Sequence, residues 1–277
     1  MLEYLNENYY VNDPDFVSSL DEAPTWSVPF GLKLLERVKY KHNINALDVG
    51  CGTGYPLLEL AESLGGSSKV YGVDPWEKAL DRVRQKMRAR KIDNVELHCG
   101  RAESLPFDDM FFSLVVSNNG LNNVDDAEKS IEEIIRVLKK GGQLIVTINL
   151  PGTMHEFYDV FKSVLKDHGL LEEVAKTENH ILQKRKALIS WLKILRNAGF
   201  ETTEVSEDKF RYHYSDGSAM LNHSFIKLAF LGPWKEIVPE RMLQKIFTET
   251  EETLNKLSRN KGLTLTIPFA CIDCKKL

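Results

Sequence analysis

Residues 46–56 read ALDVGCGTGYP, and YGVDP follows at 71–75, its aspartate twenty residues after the last glycine of the run. A short apolar strand over 45–49 runs straight into Gly50, Gly52 and Gly54. A helix then starts at Tyr55-Pro56, because the first helical turn tolerates the missing N–H of proline. A second apolar strand, 69–73, ends on Asp74. This is the opening strand–helix–strand unit of a nucleotide-binding sheet. Glycines let the backbone turn sharply and come close to a ligand. A carboxylate ending the second strand is placed to take both hydroxyls of a ribose.

The details narrow the ligand. The dinucleotide fingerprint wants a third glycine where this chain has Tyr55, and a phosphate-cradling loop needs Gly-Lys-Ser/Thr, which is absent. The rest of the chain continues the alternation. The pattern predicts a helix over 29–42, then helices over 56–65, 76–91 and 125–140 interleaved with strands over 95–98, 111–117 and 143–149. Such alternation means an α/β fold with a largely parallel sheet. Beyond 150 the expected order is a helix over 151–168, a polar Lys-rich stretch, a helix over 187–198 and a strand over 200–205. A long insertion, 206–262, follows. It holds the aromatic segment FRYHY (210–214) and helices over 216–230 and 240–260, and it precedes a last strand within 264–276.

A net charge of −4 with 27% charged residues argues against a general nucleic-acid binder, which is usually basic. The charged helix 81–91 reads as a solvated face rather than an RNA contact. No apolar run approaches the ~20 residues that span a bilayer, and the first Lys or Arg is Lys33, so a basic signal-peptide region is missing. The expectation is a cytoplasmic protein, monomer or homodimer. Cys271 and Cys274 have redox-pair spacing, but residues three apart on a regular strand face opposite sides, so they read as small strand residues. No cluster has metal-ligand spacing.

The run LDVGCGTG resembles the first motif of the class I S-adenosylmethionine-dependent methyltransferases. RAESLPF (101–107), FFSLVVSNN (111–119) and EEIIRVLKKGGQLIVTI (132–148) are similar to their later motifs. The flavour is that of the small-molecule branch that includes the ubiquinone/menaquinone-type enzymes. The stretches 25–38 and 263–277 resemble the same branch. The resemblance is strong over 44–150 and weak in 151–186 and 206–262. It implies a doubly wound seven-stranded, mostly parallel sheet, with the last strand antiparallel between strands five and six. One methyltransferase domain is expected over 1–277, with its core at 40–150, 187–205 and 263–277. Lid segments are expected at 1–39, 151–186 and 206–262.

The resemblance also implies S-adenosylmethionine as cofactor and assigns its contacts. Gly50, Gly52 and Gly54 lie under the methionine and ribose part. Asp48 orients the loop and the amino group, Asp74 takes the ribose, and Trp76 lies against adenine. Ala102 and Glu103 fall in the loop reading the adenine edge, and Asn118 holds the amino-acid end. Each has a plainer reading: Asp48 as a loop cap, Trp76 as packing, Asn118 and Asn119 as turn formers. One departure is that Arg101 stands where the family often has an aspartate, and arginine cannot accept a hydrogen bond. Either Glu103 or backbone atoms then read the adenine.

The implied chemistry is in-line methyl transfer to a small organic acceptor, which needs positioning and water exclusion more than acid–base groups. Acceptor contacts are expected from Tyr9, Tyr10, Trp26, Asn119 and His213. If a base is needed, His155 and His223 are first choices, since each adjoins apolar residues of a helix. The competing readings are a protein or RNA methyltransferase and a cofactor-binding homologue without transfer activity.

Overall fold

The structure is a computed structural model that describes residues 2–7, 9–23 and 25–277. The chain divides into two compact units. The first comprises Pro24–Leu150, Lys186–Asp208 and Phe269–Leu277; the second comprises Met1–Ala23, Pro151–Arg185 and Lys209–Pro268. Among the described residues no helix is long and apolar enough to cross a membrane.

Seven strands among the described residues form one sheet: β1 (Asn45–Val49), β2 (Lys69–Asp74), β3 (Val95–Cys99), β4 (Phe112–Asn118), β5 (Leu138–Asn149), β6 (Phe200–Tyr214) and β7 (Leu263–Lys276). Their order is β3-β2-β1-β4-β5-β7-β6. Strands β1 to β5 pair in parallel, and β7 runs antiparallel to β5, so the implied topology holds. Strand order reverses at β1, which lies between β2 and β4. In open α/β sheets the crevice beyond the carboxyl ends at such a reversal is where ligands bind.

The first unit is a doubly wound sandwich. On β1, Ala46 joins a core with Leu34 of α2 (Ser27–Arg37), Leu57 and Leu60 of α3 (Leu57–Leu64), and Leu80 and Val83 of α4 (Glu77–Arg90). Leu47 and Val49 point the other way, to Ile131 and Ile134 of α5 (Ala127–Val137) and Trp191 and Leu195 of α8 (Leu188–Asn197). Burial of both faces explains why these strands read as continuous apolar runs. Gly72 lets α3 press onto β2: a Cβ there would stand 2.8 Å from the Leu57 side chain and 2.9 Å from the Cys51 sulfur. The helix expected over 125–140 is shorter. Asp126 caps its start by accepting from the Lys129 N–H at 3.0 Å. Its end gives way to β5 because Leu138 turns extended and pairs with Phe112.

The second unit holds α1 (Pro14–Asp21), α6 (His155–Asp167), α7 (Leu171–Lys184), the short helices α9 (Gly217–Asn222), α10 (Ser224–Ile226) and α11 (Gly232–Ile237), and α12 (Leu243–Ser258). Its centre is aromatic. Phe157 stacks on Trp234 at 3.9 Å between centroids, Phe161 lies 5.8 Å from Phe247, and the Trp234 indole donates to the Tyr158 hydroxyl at 3.0 Å.

Three expectations fail here. The Lys-rich stretch after 168 is helix α7, which turns Val174 and Thr177 inward three residues apart. Residues 206–214 extend β6, with half-buried Phe210, Tyr212 and Tyr214 alternating with exposed Lys209, Arg211 and His213. The helix over 216–230 breaks at His223, which is extended. Cys271 and Cys274 are free and buried, and burial pushes both thiols up to about 12. Their sulfurs face different partners, the Lys33 carbonyl and the Thr202 hydroxyl.

Candidate cofactor site

The glycine loop is fixed by backbone bonds to the end of β2. The N–H groups of Gly50 and Cys51 both donate to the Val73 carbonyl, at 2.8 and 3.2 Å. The Gly52 N–H donates to Asp74 Oδ2 at 2.8 Å, and the Trp76 N–H donates to Asp74 Oδ1 at 2.9 Å. Asp74 therefore knits the loop to the start of α4 while each oxygen keeps lone-pair capacity for further donors. Its side chain is mostly buried. Desolvation raises its pKa, and the Trp76 and Gly52 N–H groups oppose that shift.

All three loop glycines have positive φ: 76° at Gly50, 50° at Gly52 and 102° at Gly54. Their surroundings differ. A Cβ on Gly54 would press on Val83 at 3.1 Å, whereas one on Gly52 would meet no atom of the chain within 4 Å. Gly52 thus faces space that a ligand can fill. Gly50 abuts Gly120 after β4, and a Cβ on Gly120 would stand 2.7 Å from the Val49 carbonyl oxygen. The loops after β1 and β4 approach this closely only because both residues are glycine. The sequence reading missed Gly120, although Asn-Asn-Gly directly after an apolar strand is a signal for it.

Asp48 lies on β1 on the face that carries α3, fully buried, with neither carboxylate oxygen hydrogen-bonded. Burial, with the Asp74 charge second, pushes its pKa up to about 8; the backbone N–H of Leu57 is the one opposing influence. A buried carboxylate with only one weakly placed N–H beside it is costly. A cation brought beside it would offset that cost.

Trp76 is half-buried and serves as the N-cap residue of α4, beside Asp74. Ala102 is buried. Glu103 is committed elsewhere: its Oε1 accepts from the N–H groups of Asp125 and Asp126 at 2.9 and 3.2 Å. Burial raises its pKa, but those backbone donors and Arg101 outweigh burial and hold it below the usual range. Arg101 pairs with Asp125 on the surface.

At the ends of β4 and β5 lies a cluster of amides. Asn118 donates to the Ser27 carbonyl at 3.1 Å and accepts from the Thr147 hydroxyl at 2.9 Å. Asn119, with φ of 60°, accepts from the Asn149 N–H and from Asn122, which also donates to Asn149. Asn122 is buried, and its Oδ1 accepts nothing. The sequence reading singled out Asn118 and Asn119 but not Asn122 or Asn149.

The remaining candidates are dispersed. The Trp26 ring lies 5.6 Å from that of Phe30, tilted against it, in the first unit. In the second unit, Tyr9 donates to Glu7, which pairs with Lys227, and Tyr10 is 72% exposed. His155 is exposed at the start of α6, His213 is exposed on β6 beside Thr264 at 3.3 Å, and His223 is exposed next to the Tyr214 ring. The structure does not gather these histidines into one cluster. Among the described residues no group of three or more His, Cys, Asp or Glu could hold a metal.

Residues 47–146 match the family described as "Methyltransferase domain". A demethylmenaquinone methyltransferase of Bacillus cereus (strain ATCC 10987 / NRS 248) is 35% identical over 178 residues, covering 61% of this chain and 75% of that protein. The demethylmenaquinone methyltransferase of Oceanobacillus iheyensis is 30% identical over 199 residues, covering 69% and 81%. Among solved structures, an S-adenosylmethionine-dependent methyltransferase from Aquifex aeolicus superposes with a TM-score of 0.56 at 16% identity, covering 95% of this chain and 98% of that one. At that identity it shows the fold alone.

Proposed function

The chain belongs to the class I S-adenosylmethionine-dependent methyltransferases that act on small molecules, and on that premise we propose that its acceptor is a ring-bearing, largely apolar organic molecule. The names of the B. cereus and O. iheyensis relatives support the acceptor class, since both act on a menaquinone precursor. The observation that carries the cofactor reading is the set formed by Asp48, the Gly50–Gly54 loop and Asp74. It offers a buried carboxylate with no hydrogen bond, a loop with open space over Gly52, and a second carboxylate with spare lone pairs.

When bound, S-adenosylmethionine supplies a methyl group already activated by its sulfonium. The chain's residues do the rest. Asp74 would hold the ribose hydroxyls while its bonds to Gly52 and Trp76 keep the loop in register. Asp48 would balance cationic charge at the loop. The buried amides after β4 and β5 would fix the boundary of the amino-acid end. With the acceptor's nucleophile held in line behind the methyl carbon, the methyl–sulfur bond breaks as the new bond forms. An acceptor that carries a proton there loses it to solvent or to a nearby group. We also read the protein as cytoplasmic and as a monomer or homodimer. Its four free cysteines support a reducing compartment.

Calorimetry tests the site. S-adenosylhomocysteine should bind and NAD should not, and Asp74→Ala should cost roughly 1.5–3 kcal/mol through lost charge-assisted hydrogen bonds. Equal affinity in wild type and variant would remove the ribose assignment. A labelled-methyl assay against a metabolite extract, total RNA and total protein separates the acceptor classes.

A further inference from the structure

Arg185 follows the last residue of α7 and is 3% exposed. Among the described residues it makes no ion pair and no hydrogen bond, and its Nε and Nη1 are buried without an acceptor. Its guanidinium carbon lies 5.4 Å from the centre of the Tyr158 ring. A cation after a helix ordinarily bonds the last carbonyls, but no such bond is present here. Contact with an aromatic face recovers only part of what a buried guanidinium loses on leaving water. Among the described residues no carboxylate pairs with it either. His180, whose ring is 6.4 Å from that of Tyr158, has a lowered pKa, through burial and then through the charges of Arg185 and Lys184. Tyr158 in turn is held by the Trp234 indole, and Trp234 stacks on Phe157. A planar cation with unused donors therefore sits beside rigid aromatic rings, all within one unit.

We propose that Arg185, backed by Tyr158, binds the oxyanion of a small molecule. A fork of free N–H donors matches a carboxylate or phosphate bidentately. This goes beyond the proposed function and is independent of it: the anion is a carboxylate or a phosphate.

The test uses the full chain with S-adenosylhomocysteine present and three probes: 1-hydroxy-2-naphthoate, its neutral methyl ester and inorganic phosphate. Arg185→Met keeps length and removes charge, Arg185→Lys keeps charge without the fork, and Tyr158→Leu keeps the cation but removes its ring. Calorimetry should show the naphthoate binding wild type, weakened at least about 10-fold by Arg185→Met and less by Arg185→Lys. Tyr158→Leu should also weaken it, which keeps the test decisive should Arg185→Met not fold. The ester should not respond to Arg185. Phosphate binding with the same dependence on Arg185 would support the site and make phosphate the source of the anion. The proposal is overturned if neither anion binds wild type at millimolar concentration, or if binding is the same in wild type and the variants. Failure to bind S-adenosylhomocysteine would instead sink the methyl-transfer reading and leave the anion's dependence on Arg185 separately readable.

Discussion

Asp48→Asn isolates the energetic consequence of placing a carboxylate where nothing bonds it. The group titrates near 8 when folded, because of burial first and Asp74 second, and near 3.9 in an unfolded chain. Between those values the folded state holds one more proton than the unfolded state, so the unfolded state is favoured as pH rises. The stability Asp48 contributes is fully present below about pH 4 and is lost progressively towards about pH 8, at up to ~1.4 kcal/mol per pH unit. Asparagine keeps the shape and does not titrate. From pH 5 to pH 7 the wild type should therefore lose up to ~3 kcal/mol more than the variant. Urea unfolding at pH 5, 6 and 7, with equal m-values, measures this directly. Parallel pH profiles would refute the reasoning, because they would mean that Asp48 is solvated or paired in solution. The same argument predicts a cost elsewhere. Asp48→Asn should weaken S-adenosylmethionine binding, and wild-type binding near pH 7 should release a proton, visible as a dependence of calorimetric heat on buffer.

Three further outcomes are expected. Gly52→Val should abolish cofactor binding with little loss of secondary structure by circular dichroism, since a branched side chain would occupy the open space at a positive φ; normal binding would mean that the loop does not approach the ligand. Gly120→Ala should lower stability by about 1–3 kcal/mol, because its Cβ would stand 2.7 Å from the Val49 oxygen; a variant as stable as wild type would show that the two loops separate freely. His155→Ala and His223→Phe should each change kcat less than about 10-fold, because both side chains are exposed; a loss of about 10²-fold with unchanged cofactor affinity would restore either as a base.

The sheet was legible because both faces of β1, β2 and β4 are largely buried, so apolar runs and glycine punctuation mark each element. The cofactor loop was legible because glycines and a strand-end aspartate leave little else to build. The second unit was not. Helix α7 hides its inward stripe, since one of its positions is Thr177, whose hydroxyl bonds the Glu173 carbonyl and reads as polar in sequence. The distal part of β6 alternates aromatic with charged residues over only 209–214. That run looks like an irregular loop until β7 is known to lie beside it. Gly120 escaped notice because its necessity comes from Gly50, seventy residues earlier. The Arg185 environment joins α6, α7 and α11, which no local pattern connects.

The two units are not threaded like beads. The chain passes from one to the other at five places, after residues 23, 150, 185, 208 and 268, and the last two lie inside β6 and β7 rather than in linkers. A gene fragment for either unit therefore cannot be cut out as one continuous piece, and exchanging the aromatic helical unit between homologues by splicing at loops would carry away half of two strands. Changes to that unit are therefore made residue by residue within shared strands rather than by exchange of a module.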